Sequence, residues 1–190
     1  MCPALLSSFT GQNTNDMISR RPQQEKEYNP FYDTYVSKVG EGNILDILEQ
    51  GKHRTLNLLR TIPEQAANHR YAPGKWSIKE LVLHLIDSER IFAYRALRIS
   101  RNDDSPLPGF SQDDYVPYSG AEARTLASLR EEYEVVRDAT IHLFRHFNDE
   151  MWQRVGTASN SPVSTLALAY IIAGHEAHHI GILKERYLKR

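Results

Sequence analysis

Apolar residues recur at spacings of three and four positions along most of this chain, which is the pattern of amphipathic helices. The first such segment covers about residues 43–60, and Pro63 lies just past its end. The second begins at Ser77, where an S-x-x-E capping-box pattern ends at Glu80, and it continues to about Arg101. The pattern therefore predicts two long helices in the first half of the chain.

Two further helices are predicted in the second half of the chain. The third begins near Ser119, in another S-x-x-E pattern, and ends near Phe147. Its inward-facing residues are expected to be Leu126, Leu129, Tyr133, Val136, Thr140 and Leu143. The fourth begins at Ser161 and Pro162, a cap followed by a proline in the first turn, and runs to about Leu188. No segment has the pattern of a β-strand, and four helices of roughly five to eight turns predict an all-α four-helix bundle.

The residues before the first long helix form an N-terminal extension in two parts. Residues 1–27 are polar and lack periodicity, so we expect a mobile tail. Residues 28–40 are rich in aromatic side chains and are expected to pack on the bundle, which occupies residues 41–190. This aromatic arm either covers the core or borders the mouth of a pocket. A long loop from Ser105, with Phe110, Tyr115 and Tyr118, is a second candidate for shaping a site.

Length, charge and cysteine content narrow the function classes. A chain of 190 residues is long enough for one domain. Its formal net charge of -1 provides no basic field for nucleic acid or anionic lipid, so neither is an expected partner. No apolar run approaches the roughly 20 residues that span a bilayer. The lone Cys2 excludes an intrachain disulfide and fits a reducing cytoplasm, and no basic segment precedes the short apolar start, so a secretory signal is not expected.

The candidate chemistry lies in the fourth predicted helix, where His175 and His179 stand four residues apart. This spacing places both imidazoles on one face, one turn apart, where they can hold one transition-metal ion. Apolar residues 166–172 precede the pair, so a neutral imidazole there must be hydrogen-bonded or coordinated. The spacing alone does not distinguish a metal-binding pair from a pair of hydrogen-bonded core histidines, because His142 and His146 have the same spacing on a polar segment.

His84 adds a third nitrogen from a different helix. It lies in an apolar run of the second predicted helix, and sites in helical bundles are built from side chains on facing helices. Three protein ligands leave an open position, which is typical of catalytic rather than structural metal sites. His178 is expected to point away from the pair. The other four histidines lie on polar segments and are expected at the surface: His53, His69, His142 and His146.

Two acidic residues are candidates for orienting an imidazole or acting as a base. Asp87 lies one turn after His84, and Glu176 follows His175 directly. The alternatives are a helix-surface acid for Asp87 and an exposed glutamate for Glu176. The segment 175–179 matches the H-E-x-x-H motif of zinc proteases, but the extended motif requires Gly at position 182 and His at position 185. The chain has Ile and Glu there, which disfavours a protease.

Two segments resemble signatures of the DinB/YfiT-like superfamily. Residues 72–89, with Trp76 and Ser77 followed seven positions later by His84, are similar to its helix-two signature, and residues 173–179 are similar to its helix-four signature. The similarity covers roughly residues 40–188. It implies a four-helix bundle in which His84, His175 and His179 bind one divalent metal, nickel or zinc.

The same resemblance implies a homodimer and thiol-dependent chemistry on a small molecule, as in bacillithiol S-transferases, mycothiol-dependent isomerases and glutathione-linked relatives. The hypothesis is therefore a metal-dependent S-transferase or related hydrolase. Its thiol cosubstrate comes from outside the chain, which has no cysteine besides Cys2. Two alternatives stay open: a non-catalytic metal-binding or stress-response protein, and a helical interaction module whose histidines only pack.

Overall fold

The computed structural model of the protein describes residues 17–188. Its α-helices and strands, in chain order, are α1 (Asp33–Val36), α2 (Ile44–Arg60), α3 (Ile78–Ser100), α4 (Gln112–Tyr115), α5 (Leu126–Arg145), α6 (Asp149–Gln153), β1 (Val155–Ala158), β2 (Ser161–Ser164) and α7 (Thr165–Ile182). One π-helical turn, Leu183–Tyr187, extends α7. Helix α3 packs against α5 and α7, and α2 packs against the same two helices. The four long helices form the predicted four-helix bundle, and the all-α fold class is confirmed.

Polar side chains define where the long helices begin. Asn43 caps α2 by accepting a hydrogen bond from the backbone N–H of Leu45. Ser77 and Glu80 form a complete capping box at the start of α3, in which each side chain accepts from the other residue's backbone N–H. Such caps satisfy backbone donors that have no partner inside the helix. The predicted starts of the first two long helices are therefore confirmed.

The third long helix begins six residues later than its sequence pattern predicts. Gly120 has a φ of 68°, a left-handed conformation that stops a helix from starting at Ser119. The residues that follow form a single 3-10 turn, Ala121–Ala123. Thr125 is the true cap of α5, because its side chain accepts a hydrogen bond from the N–H of Ser128.

The start of the fourth long helix is also corrected, and with it the expectation that the chain has no strand. Residues Ser161–Ser164 pair in antiparallel fashion with Val155–Ala158. The two residues that connect these strands have positive φ angles, 52° at Ser159 and 60° at Asn160, as in the tight turns of β-hairpins. Ser164, at the end of the hairpin, caps α7. Ser161 and Pro162, which the sequence pattern predicts as the start of the helix, belong to β2 instead.

Helix α7 runs through the core, as its apolar sequence indicates. Every residue from Thr165 to Glu176 is buried, so the helix has no solvent face over three turns. Polar side chains on this stretch must therefore find partners inside the protein. Within residues 17–188, no helix combines the length and apolar character that crossing a membrane requires.

The N-terminal extension follows the surface of the bundle. Residues 1–16 of the predicted tail lie outside the described residues. Met17 and Ile18 are buried in the core. The Arg21 guanidinium donates to the carbonyl oxygens of Val36 and Val39 at 2.7 and 2.6 Å, which ties the segment to the aromatic arm. The arm itself contains α1, which packs against α7.

Gly174 permits the close approach of the arm to α7. A Cβ atom at this position would overlap the backbone carbonyl of Tyr35. We expect Gly174→Ala to lower the free energy of unfolding by about 1–3 kcal/mol, the range for overpacking a filled interior. Gly181, on the same helix, has open space around its Cα, so Gly181→Ala should instead stabilise the protein by about 0.5–1 kcal/mol. Urea unfolding of both variants measures this; a neutral Gly174→Ala would contradict the described packing.

Candidate metal centre

Three buried imidazoles converge between α3 and α7. His84 comes from α3, and His175 and His179 come from successive turns of α7. One ring nitrogen from each residue lies within 4.8 Å of the other two. The Nε2 atoms of His84 and His175 are 2.9 Å apart. The structure therefore brings together the three histidines that the sequence singles out, in an arrangement that suits a single ion.

The Nε2 atom of His179 is buried and has no hydrogen-bond partner among the described residues. A buried polar atom without a partner is rare in folded proteins because its desolvation is uncompensated. Of the buried side-chain nitrogen and oxygen atoms in residues 17–188, this is the only one in that state. A ligand that accepts its lone pair, such as a metal ion, would resolve the deficit, so the residues present fit a transition-metal ion.

All three imidazoles are held in the neutral form that metal binding requires. Burial lowers the pKa of His84 to about 4. Burial, with a smaller contribution from the neighbouring imidazoles, lowers the pKa of His179 to about 3. The pKa of His175 lies well below its usual value for the same reasons. At neutral pH each ring therefore keeps a lone pair for coordination.

Neighbouring side chains fix how the three rings are turned. Ser88, one turn after His84 on α3, places its hydroxyl 3.3 Å from the Nδ1 atom of His84, which leaves Nε2 facing the other histidines. The indole of Trp76, just before the capping box, lies 4.8 Å from the His84 ring and stacks at 6.4 Å on the His179 ring. Tyr35 of the arm contacts the His175 ring edge-on at 5.1 Å. Of these three side chains, only Tyr35 lies in a segment that the sequence analysis named as a candidate border of a pocket.

Asp87 lies at the edge of this centre. It lines the same small cleft as His84 and Ser88, and its side chain is about one-third exposed. Burial raises the pKa of Asp87 above its usual value, although Arg90, 3.7 Å away, opposes this. A carboxyl with a raised pKa in a cleft is a candidate for proton transfer.

Glu176 is buried, with only 5% of its surface accessible, so the alternative prediction of an exposed glutamate is wrong. Its carboxylate accepts hydrogen bonds from the hydroxyls of Thr55 and Tyr133 and from the guanidinium of Arg137 at 2.7 Å. Among the described residues, none of its hydrogen bonds reaches the three histidines. Since successive helical residues point about 100° apart, Glu176 faces a different side of α7 from His175.

Arg137 joins Glu176 to a second buried acid. Its guanidinium donates two hydrogen bonds of 2.8 Å to the two carboxylate oxygens of Glu89, and all three side chains are buried. The sequence analysis did not predict this network. The position of Arg137 could have indicated its burial, because it lies four residues after Tyr133, on the face of the helix predicted to point inward.

A cavity of about 260 Å³ opens beside the centre. We call it the aromatic cavity, and it is lined by Phe31, Tyr32, Tyr35, Ser88, Phe92, Phe110, Ser111, Gln112 and His175. Its walls come from the arm, from α3 and from the loop before α4. The arm and the loop, which the sequence marked as candidates for shaping a site, thus both reach the surroundings of His175.

The remaining histidines lie elsewhere. His53, His69, His142 and His146 are exposed, as predicted. His178 is half-buried, and its ring contacts those of Tyr35 and His179, but it is not part of the three-nitrogen cluster. The i, i+4 pair of His142 and His146, at the end of α5, therefore does not share the burial of the pair on α7.

Two bacterial proteins are similar to this chain, one in sequence and one in fold. A protein of Oceanobacillus iheyensis, provisionally assigned by its name as a metal-dependent hydrolase, is 24% identical over 154 residues, which cover 80% of this chain and 79% of that protein. YfiT from Bacillus subtilis, described as a probable metal-dependent hydrolase with an unusual four-helix bundle topology, superposes with a TM-score of 0.65 at 14% identity, covering 86% of this chain and 90% of YfiT.

A mycothiol-dependent maleylpyruvate isomerase shares the fold with a TM-score of 0.60 at 12% identity, over 80% of this chain and 62% of the isomerase. At such low identities these structures establish the fold alone. Residues 47–183 match the sequence model of the DinB superfamily, a range that includes His84, His175 and His179. Because this match covers more than half of the 190-residue chain, the chain belongs to the DinB superfamily.

Proposed function

We propose that His84, His175 and His179 bind one divalent transition-metal ion and that the protein is a metal-dependent enzyme acting on a small molecule. The observation that carries this proposal is the buried Nε2 atom of His179, which has no partner among the described residues, in a cluster where one ring nitrogen of each of three histidines lies within 4.8 Å of the other two. The descriptions of the Oceanobacillus iheyensis protein and YfiT as metal-dependent hydrolases support it. Neutral imidazole suits several transition metals, of which we propose zinc or nickel.

With three protein ligands, such an ion would keep a position open to water or substrate. A divalent ion bound here would lower the pKa of a coordinated water or thiol and so supply a nucleophile at neutral pH. The chain's own contribution is to hold three uncharged rings in place through Ser88, Trp76 and Tyr35. It also supplies an adjoining cavity for the substrate.

The nucleophile is proposed to be water, giving hydrolysis, or an external thiol, giving S-transfer. No cysteine occurs among residues 17–188, so a thiol at this centre would have to come from solution. The fold shared with a mycothiol-dependent isomerase supports the second possibility. Asp87, with its raised pKa, is our candidate base, whereas we assign Glu176 to positioning α7 through Arg137.

Elemental analysis of the purified, untagged protein tests the proposal, with about one equivalent of zinc or nickel per chain expected. The loaded protein and a chelated sample are then assayed for ester hydrolysis and for conjugation of small thiols to electrophiles. Activity in the loaded sample alone is the expected result. No metal uptake after incubation with zinc and nickel salts would refute the proposal, and metal without turnover would favour a non-catalytic metal-binding protein. Sedimentation of the same sample tests the expected homodimer.

Ser88 provides a finer test of how His84 is held. We expect Ser88→Ala to weaken zinc binding about tenfold, since groups that orient a metal-binding imidazole typically contribute that much. Ser100 is a matched control, because it is equally buried on α3 but hydrogen-bonds the carbonyl of Leu97. Competition with a chromophoric chelator measures both affinities. Equal affinities in the two variants would show that Ser88 has no part in holding the ring.

A further inference from the structure

The aromatic cavity is walled by rings that contact one another edge to face. Phe31 packs on Tyr32 with centroids 5.4 Å apart, and Tyr32 packs on Phe92 at 6.3 Å. Phe92 in turn contacts Phe110 at 6.3 Å and the His175 ring at 6.0 Å. These contacts form a continuous aromatic wall that ends at one of the three candidate metal ligands.

Phe31 is the unusual member of this wall, because 70% of its surface is exposed. A large apolar ring left in water at the edge of a cavity gains free energy when a second apolar surface covers it. Aromatic rings prefer an aromatic partner, through stacked or edge-to-face contact. The exposed ring therefore favours an aromatic occupant.

Among the described residues that line the cavity, none is Lys, Arg, Asp or Glu. Arg95 is buried and does not line the cavity, and its guanidinium lies 5.8 Å from the Phe92 ring and 5.7 Å from the Phe110 ring. It donates to the carbonyl of Pro108 at 2.7 Å, and Arg98 is paired with Asp103. In the metal-free protein, an anionic group entering the cavity would therefore lose hydration without gaining a cation. The hydroxyls of Ser88 and Ser111 and the amide of Gln112 can instead hydrogen-bond a neutral polar group.

The size of the cavity sets the size of the occupant. An apolar cavity of about 150 Å³ is sufficient for benzene, and pockets for drug-sized ligands begin at roughly 300 Å³. The volume of 260 Å³ falls between these values. It suits one ring with a short substituent.

We infer that the aromatic cavity binds an uncharged molecule with one aromatic ring and a hydroxyl or carbonyl substituent, and that the arm determines this preference. This inference builds on the proposed function, because it places such a molecule beside His175 as the substrate. The arm residues Phe31, Tyr32 and Tyr35 lie before residue 47, where the match to the DinB superfamily begins. The arm therefore supplies three of the aromatic rings that line the cavity.

Fluorine NMR titrations test the inference with two probes that share a ring and differ in charge, 4-fluorobenzyl alcohol and 4-fluorobenzoate. Both titrations are run on the zinc-loaded protein and on the chelated protein. The chelated sample is needed because the carboxylate of the benzoate could bind zinc directly. We expect the chelated protein to bind the alcohol more tightly than the benzoate. Phe31→Ala should weaken alcohol binding about three- to tenfold, as expected for loss of one aromatic contact. Tyr118→Ala is the control, because that ring is 91% exposed and outside the cavity.

The outcomes separate this inference from the proposed function. Alcohol binding that Phe31→Ala weakens and Tyr118→Ala leaves unchanged supports the inference, even if the protein takes up no metal. Absence of alcohol binding, tighter binding of the benzoate to the chelated protein, or equal effects of the two substitutions would overturn it. A protein that binds metal but not the alcohol would leave the proposed function intact.

Discussion

Replacing His179 with alanine is expected to abolish binding of the metal ion that we propose for the three-histidine centre. Two imidazoles remain in that variant, and one of the three convergent nitrogens is gone. A metal that binds only the folded state stabilises it by about 2.7 kcal/mol when its free concentration is about 100 times the Kd. Adding zinc should therefore raise the unfolding temperature of the wild-type protein and leave that of His179→Ala unchanged. Elemental analysis and thermal unfolding, each with and without zinc, measure the two effects.

The chain contains a matched control for this experiment. His142 and His146 have the same four-residue spacing at the end of α5, where His146 is the C-cap, but both are exposed. The double variant His142→Ala/His146→Ala should keep about one equivalent of metal and the full response to zinc. Metal retained by His179→Ala, or lost from the control, would place the site elsewhere.

Replacing Arg137 with methionine is expected to destabilise the protein by about 3–5 kcal/mol, the usual effect of breaking a buried ion pair. Burial alone lowers the pKa of Arg137, but the charges of Glu176 and Glu89 outweigh it and raise that pKa well above its usual value. Without the guanidinium, two buried carboxylates are left without their cation. Urea unfolding followed by circular dichroism measures the loss.

Two further variants show whether the ionic network is responsible. Arg130 lies on the same helix and forms no ion pair with any residue in 17–188, so Arg130→Met should change stability by no more than about 0.5 kcal/mol. Adding Glu89→Gln and Glu176→Gln to Arg137→Met removes the unpaired charges and should recover part of the loss. If Arg137→Met costs less than about 1 kcal/mol, the buried network is not as described.

The four long helices could be predicted because each one carries its own signals. Their apolar residues repeat with the helical period, and the capping box at Ser77 marks a boundary through local hydrogen bonds alone. The boundaries that were wrong depend on backbone angles instead. The positive φ angles of Gly120, Ser159 and Asn160 create a turn before α5 and a hairpin before α7. Ser-Asn is a weak hairpin signal compared with Asn-Gly, so the strands were not predicted.

Local pattern also brought out the candidate ligands. The four-residue spacing of His175 and His179, the apolar setting of His84 and the resemblance to a superfamily were all readable from the chain. Helical periodicity indicates which residues share a face of a helix, but it does not indicate what that face contacts in the folded protein. Glu176 was for this reason assigned equally to solvent and to the site, whereas the structure pairs it with Arg137, 39 positions away in the sequence.

The sequence by itself determined the helical bundle, the order of its long helices and the three histidines that are candidates for one metal ion. Only the tertiary structure decided that one ring nitrogen of each histidine lies within 4.8 Å of the other two, that the Nε2 atom of His179 lacks a partner among residues 17–188, and that an aromatic cavity adjoins the cluster. The physical reason is that periodicity and capping act within a few residues. Convergence, desolvation and cavity shape depend on how the arm, α3 and α7 pack together.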